Sequence, residues 1–148
     1  MEPKSPEKSG MKNNVLVTVY CSMLRPVLEY CSVVYHTLIT REESERIERL
    51  QRLSLKIIFG FGESYENLLG RAGITSLWDR REEAFLKFAR NLSQHSRYSE
   101  SWLPKKEATR SLRKEKKYEE FYARTERLFC SPLYKIRRLL NEDDFPAP

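Results

Sequence analysis

From Asn14 to about Tyr35 the apolar residues Leu16, Tyr20, Met23, Val27, Cys31 and Val34 recur every three or four positions. An α-helix turns about 100° per residue, so this spacing predicts a first helical segment with one apolar face. Pro26 falls inside the pattern and lacks a backbone donor, which predicts a kink or two abutting helices. Thr40 and Glu43 have capping-box spacing and predict a second helix that runs to about Phe59 and stops at Gly60 and Gly62. Its inner face is predicted to hold Ile47, Leu50, Leu53, Ser54, Ile57 and Ile58, with Arg49, Arg52 and Lys56 as a narrow stripe elsewhere.

Further along, Tyr65 to Leu69 predicts a short helix, and Ser76 with Asp79 predicts the start of a third long one. Leu77, Ala84, Phe85, Phe88 and Leu92 form its apolar face, with Arg81 in the middle of it. A turn at Trp102-Leu103-Pro104 leads into Lys105–Lys117, which holds seven Lys/Arg and two Glu. A fourth helical pattern spans about Tyr118 to Leu128. Ser131-Pro132 then has the N-cap and N1 order of a last helix over Leu133–Leu140. No stretch alternates as a strand would, so the expected fold is all-α. The expected organisation is a disordered lead (1–12), a small helical bundle (13–103), a basic helical C-terminal extension (104–141) and an acidic disordered tail (142–148).

Composition narrows the class. The chain has 148 residues, 40% of them hydrophobic, which suits one modest core. No apolar run reaches the roughly 20 residues of a membrane span, and MEPKSPEKSG has no apolar region of a secretory signal. The expectation is a nuclear or cytoplasmic chain. The net charge of +6 favours an acidic partner such as RNA or DNA. It is unevenly spread: residues 1–100 hold 15 Lys/Arg against 13 Asp/Glu, and residues 101–148 hold 12 against 8.

No catalytic set emerges. Cys21, Cys31, His36, His95 and Cys130 lack the paired spacing of a zinc site, so no metal or other cofactor is expected. There is no nucleophile elbow, and Gly60-Phe61-Gly62 is a helix stop and not a phosphate-cradling loop. Asp143-Asp144 lies in a tail beside Pro146, where a solvated pair is expected. Arg81, set among Leu77, Ala84, Phe85 and Phe88, is read as a buried structural charge, with Glu29 and Glu48 as candidate partners. Phosphate contacts, which attract Lys and Arg without regard to sequence, are assigned to Arg49, Arg52, Lys56, Lys105, Lys106, Arg110, Arg113, Lys114, Lys116 and Lys117. The competing reading of each basic group is a solvated face balanced by glutamates. Tyr98, Trp102 and Tyr118 are candidates to stack on unpaired bases, with packing or a hinge favoured for Trp102.

The order of residues also resembles a family. Val19-Tyr20, Arg25-Pro26-Val27-Leu28-Glu29-Tyr30, Val34-Tyr35-His36 and Leu38-Ile39-Thr40 are followed by Ile47-Glu48-Arg49-Leu50-Gln51-Arg52 and Ile57-Ile58-Phe59-Gly60. Ser64-Tyr65, Gly73-Ile74, Ser76-Leu77 and Arg80-Arg81 continue the series, and Arg124-Thr125, Ser131-Pro132 and Arg138-Leu139-Leu140-Asn141 close it. Together, over about residues 8–141, these resemble the region after the polymerase core in non-LTR retrotransposon reverse transcriptases. The resemblance implies a helical thumb and the segment after it, lying against a template–primer duplex. Fingers, palm and the aspartate-bearing strand are missing, so it implies a non-catalytic fragment that binds RNA or DNA. The alternative is a helical protein-interaction module, or a degenerate remnant. Its exposed apolar face would have packed on the missing polymerase core and would now favour self-association.

Overall fold

A computed structural model describes residues 12–94, 96–106 and 117–142. Among these residues regular structure is helical, with no strand and one isolated bridge between Lys105 and Tyr118. The elements are α1 (Asn13–Val19), a π-helical turn (Tyr20–Leu24), α2 (Arg25–Glu29), α3 (Ser32–Tyr35), α4 (Arg41–Phe59), α5 (Tyr65–Ala72), α6 (Leu77–Gln94), α7 (Ser96–Trp102), α8 (Glu126–Phe129) and α9 (Pro132–Asn141). The all-α expectation holds. No helix of the described residues is long and apolar enough to cross a membrane.

The chain divides into two compact units, one from the described part of Met1–Tyr30 with Arg41–Arg80, the other from Cys31–Thr40 with the described part of Arg81–Pro148. The division passes through α6 at Arg80–Arg81, whereas the sequence suggested a boundary after Leu103. Leu103 is itself a core residue of the second unit, 1% exposed beside Phe85, Ala89, Leu92, Tyr118 and Ile136.

In the first unit the chain stays helical through Pro26, and a π turn at Tyr20–Leu24 stands immediately before the residue that lacks a backbone donor. A π turn accommodates one residue more than an α turn, which rotates the residues after it by about 100°. Tyr20 is therefore buried, while Met23 and Val27, expected on its face, are 67% and 72% exposed. Arg25 turns inward in their place. The segment does not continue as one helix to Tyr35. It stops at Tyr30, and Cys31 takes a left-handed conformation before α3.

The long helix α4 starts and ends where expected, closed by Gly60 at φ +112°. Its inner face is not the expected one. Leu50, Leu53 and Ile57 are exposed, and the fully buried positions are Gln51 and Leu55. Helix α5 is capped by the Ser64 hydroxyl, which accepts from the Asn67 N–H, and ends on Gly73 at φ +64°. Ser76 opens α6 as expected, its hydroxyl accepting from the Asp79 N–H at 3.0 Å.

In the second unit, the α6 face is buried as predicted at Phe85 and Leu92, with Ala89 added and Phe88 partly covered. The helix expected over Tyr118–Leu128 is confined to α8. Residues 117–119 instead place their backbone groups on non-helical partners. Lys106 N–H donates to Lys117 C=O, Glu119 N–H to Pro104 C=O, and the Asn141 amide both accepts from Tyr118 N–H at 2.9 Å and donates to its C=O at 3.1 Å. Helix α9 begins at Pro132 as predicted and buries Tyr134 and Ile136.

Candidate nucleic-acid interface

In the first unit a polar network replaces the apolar face expected for α4. Gln51 is completely buried, and its carbonyl oxygen accepts from the Tyr20 hydroxyl at 2.7 Å. Its amide nitrogen donates to the Tyr65 hydroxyl and to the Thr75 carbonyl, each at 3.0 Å. The Tyr65 hydroxyl donates in turn to Glu48. The Glu48 carboxylate also accepts from the N–H groups of Leu77 at 3.1 Å and Trp78 at 3.2 Å, at the start of α6. A negative charge there meets the positive end of the helix dipole and satisfies donors that have no partner inside the helix.

Burial pushes the Tyr20 hydroxyl up to about 12. Burial, and then the bond to Glu48, also raises Tyr65. Both phenols are thus held protonated as donors. The middle of α4 is locked to α5 and to the start of α6 by groups that a hydrophobicity pattern does not register.

One flank of α4 carries the basic stripe. Arg49 and Arg52 are exposed and Lys56 is half-buried. The first half of the helix neutralises its own cations, since Arg41 pairs with Glu45 and Arg46 with Glu42, each an (i, i+4) pair. No carboxylate among the described residues comes within ion-pair distance of Arg49, Arg52 or Lys56. The solvated face balanced by glutamates is therefore realised at Arg41–Arg46 and not at the stripe. Arg52 also lies over the Tyr65 ring, 4.9 Å from its centroid. Because that ring is fixed through its hydroxyl, the guanidinium is held in place while its edge stays in solvent.

Glu29 takes part in a second ion-pair set of this unit. Its carboxylate accepts from Arg80 at 2.5 and 3.1 Å, a two-point grip, and from Arg25 at 3.2 Å. Arg80 is thus both exposed and engaged. Arg81 is 1% exposed, as its place in the apolar face predicts.

In the second unit Lys105, Lys106 and Lys117 are exposed on the segments joined by the Lys105–Tyr118 bridge. Arg110, Arg113, Lys114 and Lys116 lie outside the described residues. Of the stacking candidates, Tyr118 is 3% exposed and unavailable to a base. Trp102, for which packing was favoured, is 43% exposed, and Leu103 fills the core instead. The Tyr98 side chain lies outside the described part of the molecule.

Sequence reasoning missed another group in this unit. Phe121 and Phe129 both lie against Tyr134, with ring centroids 5.2 and 5.4 Å away. Arg137 lies over Phe121 at 5.1 Å and Arg138 over Phe129 at 4.4 Å. The signal was present as aromatic and basic residues interleaved along 117–138, but the helix expected there obscured it. Nearby, His36 Nε2 is 2.6 Å from a Glu82 oxygen, and Lys135 Nζ is 3.8 Å from the same oxygen. Burial lowers the His36 pKa despite the carboxylate. Among the described residues no three of His, Cys, Asp and Glu gather as a metal site would require, and Cys21, Cys31 and Cys130 are free thiols.

Compared with models of protein families, with curated proteins and with solved structures, the chain finds no match.

Proposed function

We propose that this chain binds the backbone of RNA or DNA through basic helical surface and does no chemistry on it. In this reading it corresponds to the thumb and following segment of a non-LTR retrotransposon reverse transcriptase without the polymerase core. One observation carries the reading: Arg49, Arg52 and Lys56 project from one side of α4 without a neutralising carboxylate, while the cations nearer its start are paired. Unpaired surface cations in a row are what a phosphate backbone requires, since each contact releases condensed counterions. Lys105, Lys106 and Lys117 add exposed charge in the second unit.

The test is the salt dependence of binding to an RNA–DNA hybrid. Affinity should fall steeply as salt rises. Replacing Arg49, Arg52 and Lys56 together by Gln should flatten the log–log slope by about 3, or roughly 0.9 for each phosphate no longer neutralised. A slope unchanged by the triple substitution defeats the assignment.

A second reading, a module that associates through apolar surface, is favoured by a separate observation. Val15, Val19, Met23 and Val27 recur every four residues in the first unit, and all are between 41% and 72% exposed. Contiguous apolar surface of this kind marks interaction sites. Self-association that rises with protein concentration, with no nucleic-acid binding, is the outcome that selects this reading.

A further inference from the structure

The second unit contains a cavity of about 250 Å³ between α8, α9 and the loop before α4. Its walls include Phe129, Leu139, Cys130 and Thr37, and Lys135, Arg138 and Glu142 complete the lining. The cavity is smaller than the roughly 300–1,000 Å³ typical of drug-sized ligand sites, which suits a single ring system. Arg138 is stacked on Phe129 and has no carboxylate partner among the described residues. Lys135 is already drawn towards Glu82. An aromatic wall, an unneutralised guanidinium and a carboxylate match the parts of a nucleotide: a flat π-face, an anion and an exocyclic amino group.

We propose that this cavity receives one unpaired nucleobase of a single-stranded nucleic acid, with the base against Phe129 and the adjoining phosphate at Arg138. The proposal rests on the nucleic-acid reading and specifies a strand that is unpaired at this point. A base held in a duplex keeps its faces stacked on its neighbours and cannot enter. Glu142 can accept from an exocyclic amine, so adenine and cytosine bind in preference to uracil. Exposed Phe121 and Tyr122 offer the next stacking surfaces along the same strand.

The experiment titrates the full chain with a short labelled single strand and with the same sequence as a duplex. In parallel it measures the alkylation rates of Cys130, Cys21 and Cys31 by mass spectrometry. Expected is a loss of about tenfold in single-strand affinity for Phe129→Leu, with duplex affinity unchanged. Alkylation of Cys130 in the unaltered chain should slow several-fold when the single strand is added, and that of Cys21 and Cys31 should not. The thiol readout keeps the test valid if Phe129→Leu fails to fold. Binding of both nucleic acids with Cys130 unprotected overturns the cavity proposal and leaves the basic-surface reading standing. Binding of neither by the unaltered chain defeats that reading and this proposal with it. Protection of Cys130 by an acidic peptide but not by the strand assigns the cavity to a protein partner instead.

Discussion

Replacing Gln51 by Leu removes the centre of the network in the first unit while keeping its approximate volume. Three groups lose a bond. Thr75 C=O still accepts from Arg25 at 3.3 Å, and the Tyr65 hydroxyl still donates to Glu48. The Tyr20 hydroxyl has Gln51 as its acceptor and sits on a residue only 2% exposed. The cost is therefore chiefly that of one orphaned buried donor, about 1–3 kcal/mol. Such a loss lowers the midpoint of urea unfolding by about 1 M for a chain of this size.

Tyr20→Phe alone should cost a similar amount, because it strands the Gln51 oxygen instead. With both substitutions together no polar atom is left stranded between these two side chains. The double variant should then be more stable than the sum of the single effects allows, by about 0.5–3 kcal/mol of coupling. Urea titrations of the four proteins, followed by far-ultraviolet circular dichroism, measure this directly. Additive losses, or a Gln51→Leu protein as stable as the parent, refute the claim that this bond holds the unit together.

The remaining predictions probe other sites. The unfolded Tyr20 phenol loses its proton near pH 10 and the folded one at about 12, so the folded state binds more protons in between. Stability from this group is complete below pH 10 and falls as pH rises from 10 towards 12, and Tyr20→Phe should shallow that fall in a pH series of melting temperatures. His36 has the opposite sign, because its folded pKa lies below the usual 6.5. Its stabilisation is present above 6.5 and is lost as pH falls below that value, a slope that His36→Gln should reduce. Leu103→Ala empties a fully buried core position and should cost about 2–5 kcal/mol, whereas Met23→Ser at an exposed position should stay within about 0.5 kcal/mol. Asn141→Ala releases both backbone groups of Tyr118, and faster amide exchange at Tyr118 than in the parent is the expected sign.

The elements with strong local signals were legible in the sequence. Gly60 and the Ser76 and Ser131-Pro132 starts fix helix ends through local backbone chemistry, and the helices lie there, whereas α5, expected over Tyr65–Leu69, continues through Gly70 to Ala72. Arg81 stood out as a charge in an apolar face and is buried. Two kinds of feature escaped. The π turn at Tyr20–Leu24 leaves no periodic signature, yet it rotates everything after it, so Met23 and Val27 went to the wrong side. The inner face of α4 was missed because its central residue is polar. A hydrophobic pattern ranks Leu50 and Leu53 above Gln51, and only the partners Tyr20, Tyr65 and Thr75, which come from other elements, reverse that order. The same limit hid the aromatic group on Tyr134, whose members meet through the fold and not through spacing.

The basic stripe does not depend on which face of α4 is packed. At about 100° per residue, Glu48, Gln51, Leu55 and Ile58 centre on a face that lies roughly 110° from the centre of Arg49, Arg52 and Lys56. Had Leu50, Leu53 and Ile57 formed the core, its centre would lie roughly 100° from the stripe on the other side. The cations stand on a flank of the packed face in either case. Gln51→Leu should therefore lower stability and leave the salt slope for nucleic-acid binding at the parent value. A slope that flattened together with the loss of stability would show that the network also holds the stripe in place.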